Sequence, residues 1–398
     1  MRAAREENHG QQRTGGGVAF LENALFGCAL AETPRLLPGL LLAGSVVLVS
    51  VLLADTVNSI LGFKGLVSYI MAAILTGLLV GNLIHVPAFF APGVSFCLTR
   101  LLRLGIILMG IRLSVFDAAR IGAWGIPIVL VCIATGLALT TYFTRLLRLP
   151  ERLGTLMAVG TSICGATAIV AAAPVLRAEE EEVAYAVANI TVFGILAMLL
   201  YPYLANVLFA GNVVMAGLFQ GTAIHETAQV TGAGLIYDQT FGVTARPTVA
   251  DVAIVIKLVR NLFIAAVIPI MAFVYSRRLA ALGRASGTRV STWRLFPLFI
   301  LGFIAMAILR SAGDAGLRDG GLALGYWDGA DWSRGMALVG EAATYLLAIA
   351  MAGVGLGARL KSMRGLGVKP FYVGLFASLV VGIASALAVF LLGRFVHL

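Results

Sequence analysis

Four ionisable side chains lie inside long apolar stretches of this sequence, where they could bind a charged solute or carry a proton. His225 and Glu226 lie together in one stretch, and Lys257 and Arg260 lie in the next. A charge at the centre of a bilayer costs roughly 2.5–3.5 kcal/mol on insertion scales, and such residues usually face a bundle interior, a partner charge or a solute path. We therefore expect these four residues to mark the functional site.

The basic pair favours an anion. Lys257 and Arg260 are three residues apart, which places them on one helical face with Asn261 beside them. Together with Glu226 they give two fixed positive charges against one carboxylate, so that an otherwise neutral site attracts an anion. The fork of the arginine suits the oxygens of a carboxylate, sulfonate or sulfate. Simple ion pairing without a solute is the alternative.

A polar patch surrounds His225 and Glu226, and its other members are Gly221, Thr222, Thr227, Gln229 and Thr231. At about 100° per residue, His225 and Gln229 share a helical face with Thr222 above them, while Glu226 points aside. We expect His225 and Glu226 to act in proton coupling or gating, because both groups can carry a proton. Mutual hydrogen bonding inside the bundle is the alternative. A metal site is not expected, since the pattern is not His-Glu-x-x-His.

An earlier apolar stretch carries a second motif, Gly160–Gly165 (GTSICG), which places helix-weakening and hydroxyl residues in its middle. Glycine costs about 1 kcal/mol relative to alanine in a helix interior. A break there would expose the N–H groups of a half-helix, whose amino terminus favours an anion. Close packing of small residues is the alternative. The residues that we expect to bind the solute are Thr161, Ser162, Gly165, Thr222, Gln229, Lys257 and Arg260.

The composition of the chain indicates a membrane protein. Of its 398 residues, 60% are hydrophobic and only 12% are charged, and the mean hydropathy is +0.97. A soluble fold cannot hide so much apolar surface, which predicts an all-α, polytopic membrane protein. The net charge of +10 comes largely from basic residues in short loops, so nucleic-acid binding is not expected. Residues 1–34 are expected to form a loose cytoplasmic arm, and residues 35–398 a single transporter domain.

Apolar stretches of about 20 residues predict eleven transmembrane helices. They lie near 36–54, 66–85, 97–113, 122–143, 153–176, 184–208, 212–236, 250–275, 293–309, 337–357 and 370–392. Three basic loops, at 145–152, 277–294 and 359–369, then fall on one side, and the acidic run Glu179–Glu182 falls on the other. The positive-inside rule makes the basic side cytoplasmic, which places the amino terminus inside and the carboxyl terminus outside.

Two internal similarities suggest repeats. The segment Gly110–Ser114 (GIRLS) leaves the third span and Gly357–Lys361 (GARLK) leaves the tenth. These spans run in opposite directions, as in the inverted repeats of secondary transporters. A snorkelling helix end is the alternative. The segments Gly160–Gly165 and Gly221–Glu226 also resemble each other, but the span count gives them the same direction, which does not fit the first repeat. We expect inverted repeats with at least one broken helix.

Several of these motifs together resemble a known family. They are, in order, Leu101–Leu108 (LLRLGIIL), Gly160–Ala166 (GTSICGA), His225–Val230 (HETAQV) and Lys257–Arg260 (KLVR). In this order they resemble the YeiH-type sulfate exporter family of bacterial inner-membrane proteins, over roughly residues 36–392. The resemblance implies transport of sulfate or a related anion across the bacterial inner membrane.

We therefore predict a secondary transporter of a small anion, namely sulfate or a related oxyanion or sulfonate, coupled to protons or working as an exporter. A passive anion channel, a carrier of another organic anion and a receptor without flux are the alternatives. An intramembrane enzyme would need Ser162 or Cys164 hydrogen-bonded to His225, and is not expected. No Walker lysine motif occurs, which disfavours ATP-driven pumping. The expected partners are the solute and the lipid bilayer; no cofactor is expected, and the sequence leaves a homo-oligomer open.

Overall fold

The computed structural model is almost entirely helical over the residues that it describes, which are 30–61, 67–84, 86–281, 297–358 and 368–396. In chain order its α-helices are α1 (Leu37–Leu61), α2 (Tyr69–Leu83), α3 (Ala91–Phe96), α4 (Leu102–Met109), α5 (Val115–Leu146), α6 (Glu151–Ser162), α7 (Ala166–Leu176), α8 (Glu180–Leu208), α9 (Val213–Ala223), α10 (Thr227–Thr240), α11 (Val249–Leu262), α12 (Ile264–Ala281), α13 (Phe299–Gly320), α14 (Gly329–Gly357) and α15 (Val368–Leu392). The predicted all-α class is confirmed. The arm predicted for residues 1–34 lies mostly outside the described residues, as does much of the second and third basic loops.

Eight helices or helix runs in the described part of the chain are long and apolar enough to cross a membrane. Two of them are runs, of α3 with α4 and of α11 with α12. Three shorter apolar helices, α2, α7 and α9, do not reach that length. The predicted polytopic architecture is therefore confirmed. The structure differs from the predicted eleven crossings, because two of the apolar segments turn back on themselves.

The first of these segments is a helical hairpin made of α6 and α7. A guanidinium N–H of Arg152, near the start of α6, donates to the carbonyl of Arg177, just after α7, at 2.9 Å. A straight helix would separate these two residues by about 37 Å over 25 positions. Arg152 also pairs with Glu179 at 3.2 Å. The chain therefore enters and leaves this hairpin at the same face of the molecule.

The second hairpin consists of α9 and α10 and enters from the other face. The Tyr237 hydroxyl, near the end of α10, donates to Asn206, near the end of α8, at 3.0 Å. Because α9 begins only a few residues after Asn206, the end of α10 lies beside the start of α9. The 29-residue helix α8 connects the two hairpins and is about 43 Å long, enough to carry the chain across a bilayer.

This topology reverses the direction of α8, so the loops at its two ends change sides while the other loops keep theirs. A hairpin in place of a crossing puts Glu179–Glu182 on the same face as Arg152, where the structure forms the ion pairs Arg152–Glu179 and Arg152–Glu182. The expected placement of the acidic run on the opposite side is therefore wrong. Two crossings are lost together, so the spans that follow α10 keep the directions that the sequence predicted.

Local sequence explains where the hairpin helices begin. Asn212 caps α9 by accepting from the backbone N–H of Met215. Gly165 precedes α7 with φ of +70°, a conformation that side-chain-bearing residues rarely adopt. Glu226 and Gln229 form a capping box at the start of α10. Each hairpin therefore turns at a residue whose type suits the end of one helix and the start of the next.

The hairpins lie inside one group of helices. Helices α5, α8, α11 and α15 pack around α6, α7, α9 and α10, whereas α1 to α4, α13 and α14 pack mainly with one another. The principal contacts between the two groups are those of α10 with α2 and α14, and of α5 with α13. One large buried apolar cluster contains residues from both groups.

Candidate functional site

The tips of the two hairpins meet at the middle of α11. Tip 1 is Ile163–Gly165, between α6 and α7, and tip 2 is Ile224–Glu226, between α9 and α10. Lys257 of α11 contacts both tips, Arg260 of α11 contacts tip 2 and the end of α6, and both residues are 0% exposed. The two basic residues that the sequence singled out therefore lie together at the junction of the hairpins.

All three N–H groups of the Lys257 ammonium have main-chain acceptors. Its Nζ donates to the carbonyl of Ile163 at 2.9 Å, to that of Ile224 at 3.0 Å, and to that of His225. An ammonium has three donors, so this set is complete. Lys257 therefore ties tip 1 to tip 2.

Arg260 binds the carboxyl ends of α6 and α9, the helices that lead into tip 1 and tip 2. Its Nη2 donates to Thr161 O at 2.6 Å and its Nη1 to Thr222 O at 2.7 Å. Further bonds reach Ser162 O at 2.9 Å and Ile224 O at 3.0 Å. Thr161 and Thr222 occupy equivalent positions in the two similar motifs, which explains that similarity. Each motif lies at the carboxyl end of a helix whose carbonyls accept from Arg260. The two helices enter from opposite faces, so the expectation that they run in the same direction is wrong.

These bonds give a physical reason for two buried cations. The last carbonyls of α6 and α9 have no partners within their own helices, and the carboxyl end of a helix carries a partial negative charge. In an apolar interior such unpaired carbonyls are costly. Lys257 and Arg260 donate to them and offset part of that charge, so that helix ends and cations stabilise each other.

Glu226 lies beside the amino ends of α7 and α10, the second helix of each hairpin, whereas the cations bind the carboxyl ends of the first helices. Its carboxylate Oε1 accepts from the backbone N–H of Ala166, the first residue of α7, at 3.2 Å. The same side chain caps α10 by accepting from the N–H of Gln229, whose own side chain binds the N–H of Glu226. The carboxylate therefore joins the amino termini of α7 and α10. Gly165 makes room for it, because a Cβ there would lie 2.3 Å from Glu226 Cγ.

The residues around Glu226 are more exposed than the two cations, and they form the more open edge of the junction. Ala166, Glu226 and Thr227 are half-buried and Thr167 is exposed, in contrast to fully buried Lys257. Asn261 of α11 donates to the Thr227 hydroxyl at 3.1 Å, and its Oδ1 is buried with no hydrogen-bond partner. The two amino termini therefore lie nearer to the surface of the structure than the two cations do.

His225 and Thr222 face α15 instead. The His225 Nε2 lies 2.7 Å from the Ser378 hydroxyl, and the Thr222 hydroxyl lies 2.6 Å from that of Ser385. The Ser162 hydroxyl is buried with no hydrogen-bond partner. The hydrogen bond between Ser162 and His225 that an enzyme reading would need is therefore not formed.

The structure brings together most of the residues that the sequence singled out, with different contacts. Thr161 donates its hydroxyl to Met157 O, so it presents its carbonyl rather than its hydroxyl to the junction. Gln229 contacts α8, donating to Thr191 O at 3.2 Å, while His225 contacts α15. The expectation that His225 and Gln229 share a helical face is wrong, because the chain breaks between α9 and α10 and the helical period ends there.

The sequence did not identify three contributors to the site, namely two serines of α15 and the backbone N–H of Ala166. Ser378 and Ser385 are seven residues apart in apolar α15, which is two helical turns and hence one face. That spacing could have identified the two serines from the sequence. The N–H of Ala166 could not have been identified in this way, since the position of a backbone donor depends on where its helix begins and which way it points.

Comparison with known proteins identifies relatives over most of the chain. The sequence model of a family described as Conserved hypothetical protein 698 matches residues 38–374. A UPF0324 membrane protein of Pseudomonas aeruginosa is 35% identical over 366 residues, covering 89% of this chain and 94% of the relative.

Relatives from other bacteria carry the same description. A UPF0324 membrane protein of Corynebacterium glutamicum is 36% identical over 351 residues, covering 88% of this chain and 91% of the relative. One from Bacillus anthracis is 32% identical and covers 84% of this chain and 89% of the relative. These descriptions state a membrane protein, in agreement with the architecture, and name no solute.

Proposed function

The chain belongs to the Conserved hypothetical protein 698 family, and from this membership and the hairpin geometry we propose that it is a secondary membrane transporter of a small anion. One observation carries the proposal. Two hairpins enter from opposite faces and place the amino termini of α7 and α10 at one half-buried junction. Interrupted helices whose amino termini point at a charged solute are a recurring design in secondary transporters.

The charge balance of the junction favours an anion. Lys257 and Arg260 contribute two positive charges and Glu226 one negative charge. Each helix end contributes about half a charge, so the two carboxyl ends and the two amino ends roughly cancel. A surplus of about one positive charge remains in a low-dielectric interior. Sulfate, a related oxyanion or a sulfonate, as the YeiH-type resemblance implies, would match this charge.

The proposed setting is the inner membrane of a bacterium. The face that carries Arg145, Arg148 and Arg152 would be cytoplasmic by the positive-inside rule, with the amino terminus on that side and the carboxyl terminus outside. The first hairpin would then enter from the cytoplasm and the second from the exterior. A solute bound between their tips could be released to either side by a change in helix packing.

Counterflow in liposomes tests the proposal directly. Purified protein is reconstituted with excess unlabelled solute inside, and the entry of labelled sulfate, sulfite, a sulfonate or a dicarboxylate is followed. A carrier produces a transient accumulation of label above equilibrium, because efflux of unlabelled solute drives it. A channel gives simple equilibration. Protein-free liposomes and a labelled neutral sugar are the controls, and the absence of accumulation for all four anions with folded protein would overturn the proposal.

A further inference from the structure

The junction of the hairpins already holds an anionic group of the protein itself. Glu226 accepts from the first N–H of α7 and from the N–H of Gln229 in α10. These amino termini are also the donors that an anionic solute would use, because the N–H groups of Lys257 are all taken by carbonyls. A solute anion and the Glu226 carboxylate therefore compete for the same donors.

An ionised Glu226 weakens the binding of a second anion at these donors. The amino termini of two helices supply about one positive charge in total, which one carboxylate already matches. A second anion beside an ionised Glu226 would add repulsion between like charges in an apolar interior, where such repulsion is strong. Neutralising Glu226 removes the repulsion and raises the surplus of positive charge at the junction from about one to about two.

The charged and titratable groups around Glu226 are few. Lys257 faces it from α11 with Arg260 three residues further along that helix, Cys164 lies in tip 1, and His225 precedes it in tip 2. The imidazole of His225 is directed to Ser378 of α15 and not to the Glu226 carboxylate. Glu226 is the carboxylate of this junction and also its least buried ionisable group.

We infer that Glu226 is the resident anion of the solute site, and that a solute anion binds there only when this carboxylate has taken up a proton. The inference rests on the proposed transport function. The proton adds to one carboxylate oxygen, Glu226 releases the N–H groups of Ala166 and Gln229, and the solute accepts from them. Both ligands leave together when the site opens to the other face. Solute and proton therefore move in the same direction, one proton for each anion.

The experiment separates proton coupling from transport itself. Counterflow is first measured with equal pH on both sides. Net accumulation is then measured with the lumen one pH unit more alkaline and the membrane potential clamped at zero with potassium and valinomycin. Wild-type protein should concentrate its solute about tenfold inside, since one co-transported proton carries a tenfold concentration ratio per pH unit. Glu226→Gln cannot exchange a proton, so its accumulation ratio should stay near one and its counterflow should not depend on pH. Complete loss of counterflow in folded Glu226→Gln would overturn the inference, because the neutral amide stands in for the protonated carboxyl.

A matched control keeps the result interpretable. Glu341 is an exposed glutamate of α14 outside the hairpin junction, and Glu341→Gln should behave as wild type. If wild-type protein shows counterflow and Glu226→Gln still reaches the tenfold ratio, this inference is wrong and the proposed function stands. Wild-type counterflow that does not respond to the pH gradient has the same meaning. No counterflow in folded wild-type protein overturns the proposed function instead.

Discussion

Replacing Arg260 tests whether the buried cations hold the hairpins together. Arg260→Met removes four hydrogen bonds, to the carbonyls of Thr161, Ser162, Thr222 and Ile224. Ile224 keeps its bond from Lys257, so three carbonyls lose these donors. At about 1–3 kcal/mol for each buried unsatisfied acceptor, the loss is about 3–9 kcal/mol. That is comparable with the whole stability of a typical domain, about 5–15 kcal/mol.

A graded substitution sharpens the prediction. Arg260→Lys keeps the charge but offers three N–H donors in place of the guanidinium fork, so at least one of the four carbonyls loses its bond. We expect a loss of about 1–3 kcal/mol and partial counterflow activity. Arg310→Met is the control, because its pair with Asp314 is about one-third exposed and should contribute under about 1 kcal/mol.

Thermal unfolding in detergent, followed by circular dichroism at 222 nm and by size-exclusion elution, measures all three variants. The expected order of melting temperature is wild type, then Arg310→Met close to it, then Arg260→Lys, with Arg260→Met lowest or not folded. A melting temperature for Arg260→Met within about 1 °C of wild type, together with a raised KM for the anion, would refute the reasoning. It would mean that Arg260 binds the solute and does not stabilise the hairpin ends.

Two further predictions concern the hairpins. Gly165→Ala should lower counterflow at least tenfold without loss of folded protein, because the new Cβ would lie 2.3 Å from Glu226 Cγ at a φ of +70°; Gly44→Ala, where a Cβ meets nothing within 4 Å, should leave counterflow unchanged. In a chain without its native cysteines, Glu151→Cys and Ala178→Cys should both react with a membrane-impermeant thiol reagent from the same side. Reaction from opposite sides would mean that this segment crosses the membrane straight.

The sequence located several residues of the hairpin junction, and their role in binding a solute stays a prediction. Lys257 and Arg260 were identified because charged groups among apolar neighbours must find partners, and the structure gives them carbonyl partners at the centre of the hairpin junction. The break in Gly160–Gly165 followed from glycines that weaken a helix. The predicted contact of the Thr161 and Ser162 hydroxyls with a solute stays a prediction, since the structure shows the Thr161 hydroxyl bonded within its own helix.

The direction of the chain after each break was beyond sequence analysis. An apolar segment of about 24 residues satisfies the same hydropathy condition whether it crosses the bilayer once or turns back halfway. The bond from Arg152 to Arg177 distinguishes the two, and it joins residues that hydropathy treats as opposite ends of one span. The misplaced acidic run Glu179–Glu182 follows from this single ambiguity.

By itself, the sequence determined that this chain is an all-helical membrane protein with charged residues buried in its interior, because solvation energies depend on residue type alone. Only the tertiary structure decided which donors each buried charge meets. Lys257 and Arg260 bind the carboxyl ends of two helices, and Glu226 binds the amino ends of two others. Those partners are backbone atoms, whose availability depends on where helices end and which way they point, and not on the residue types that the sequence displays.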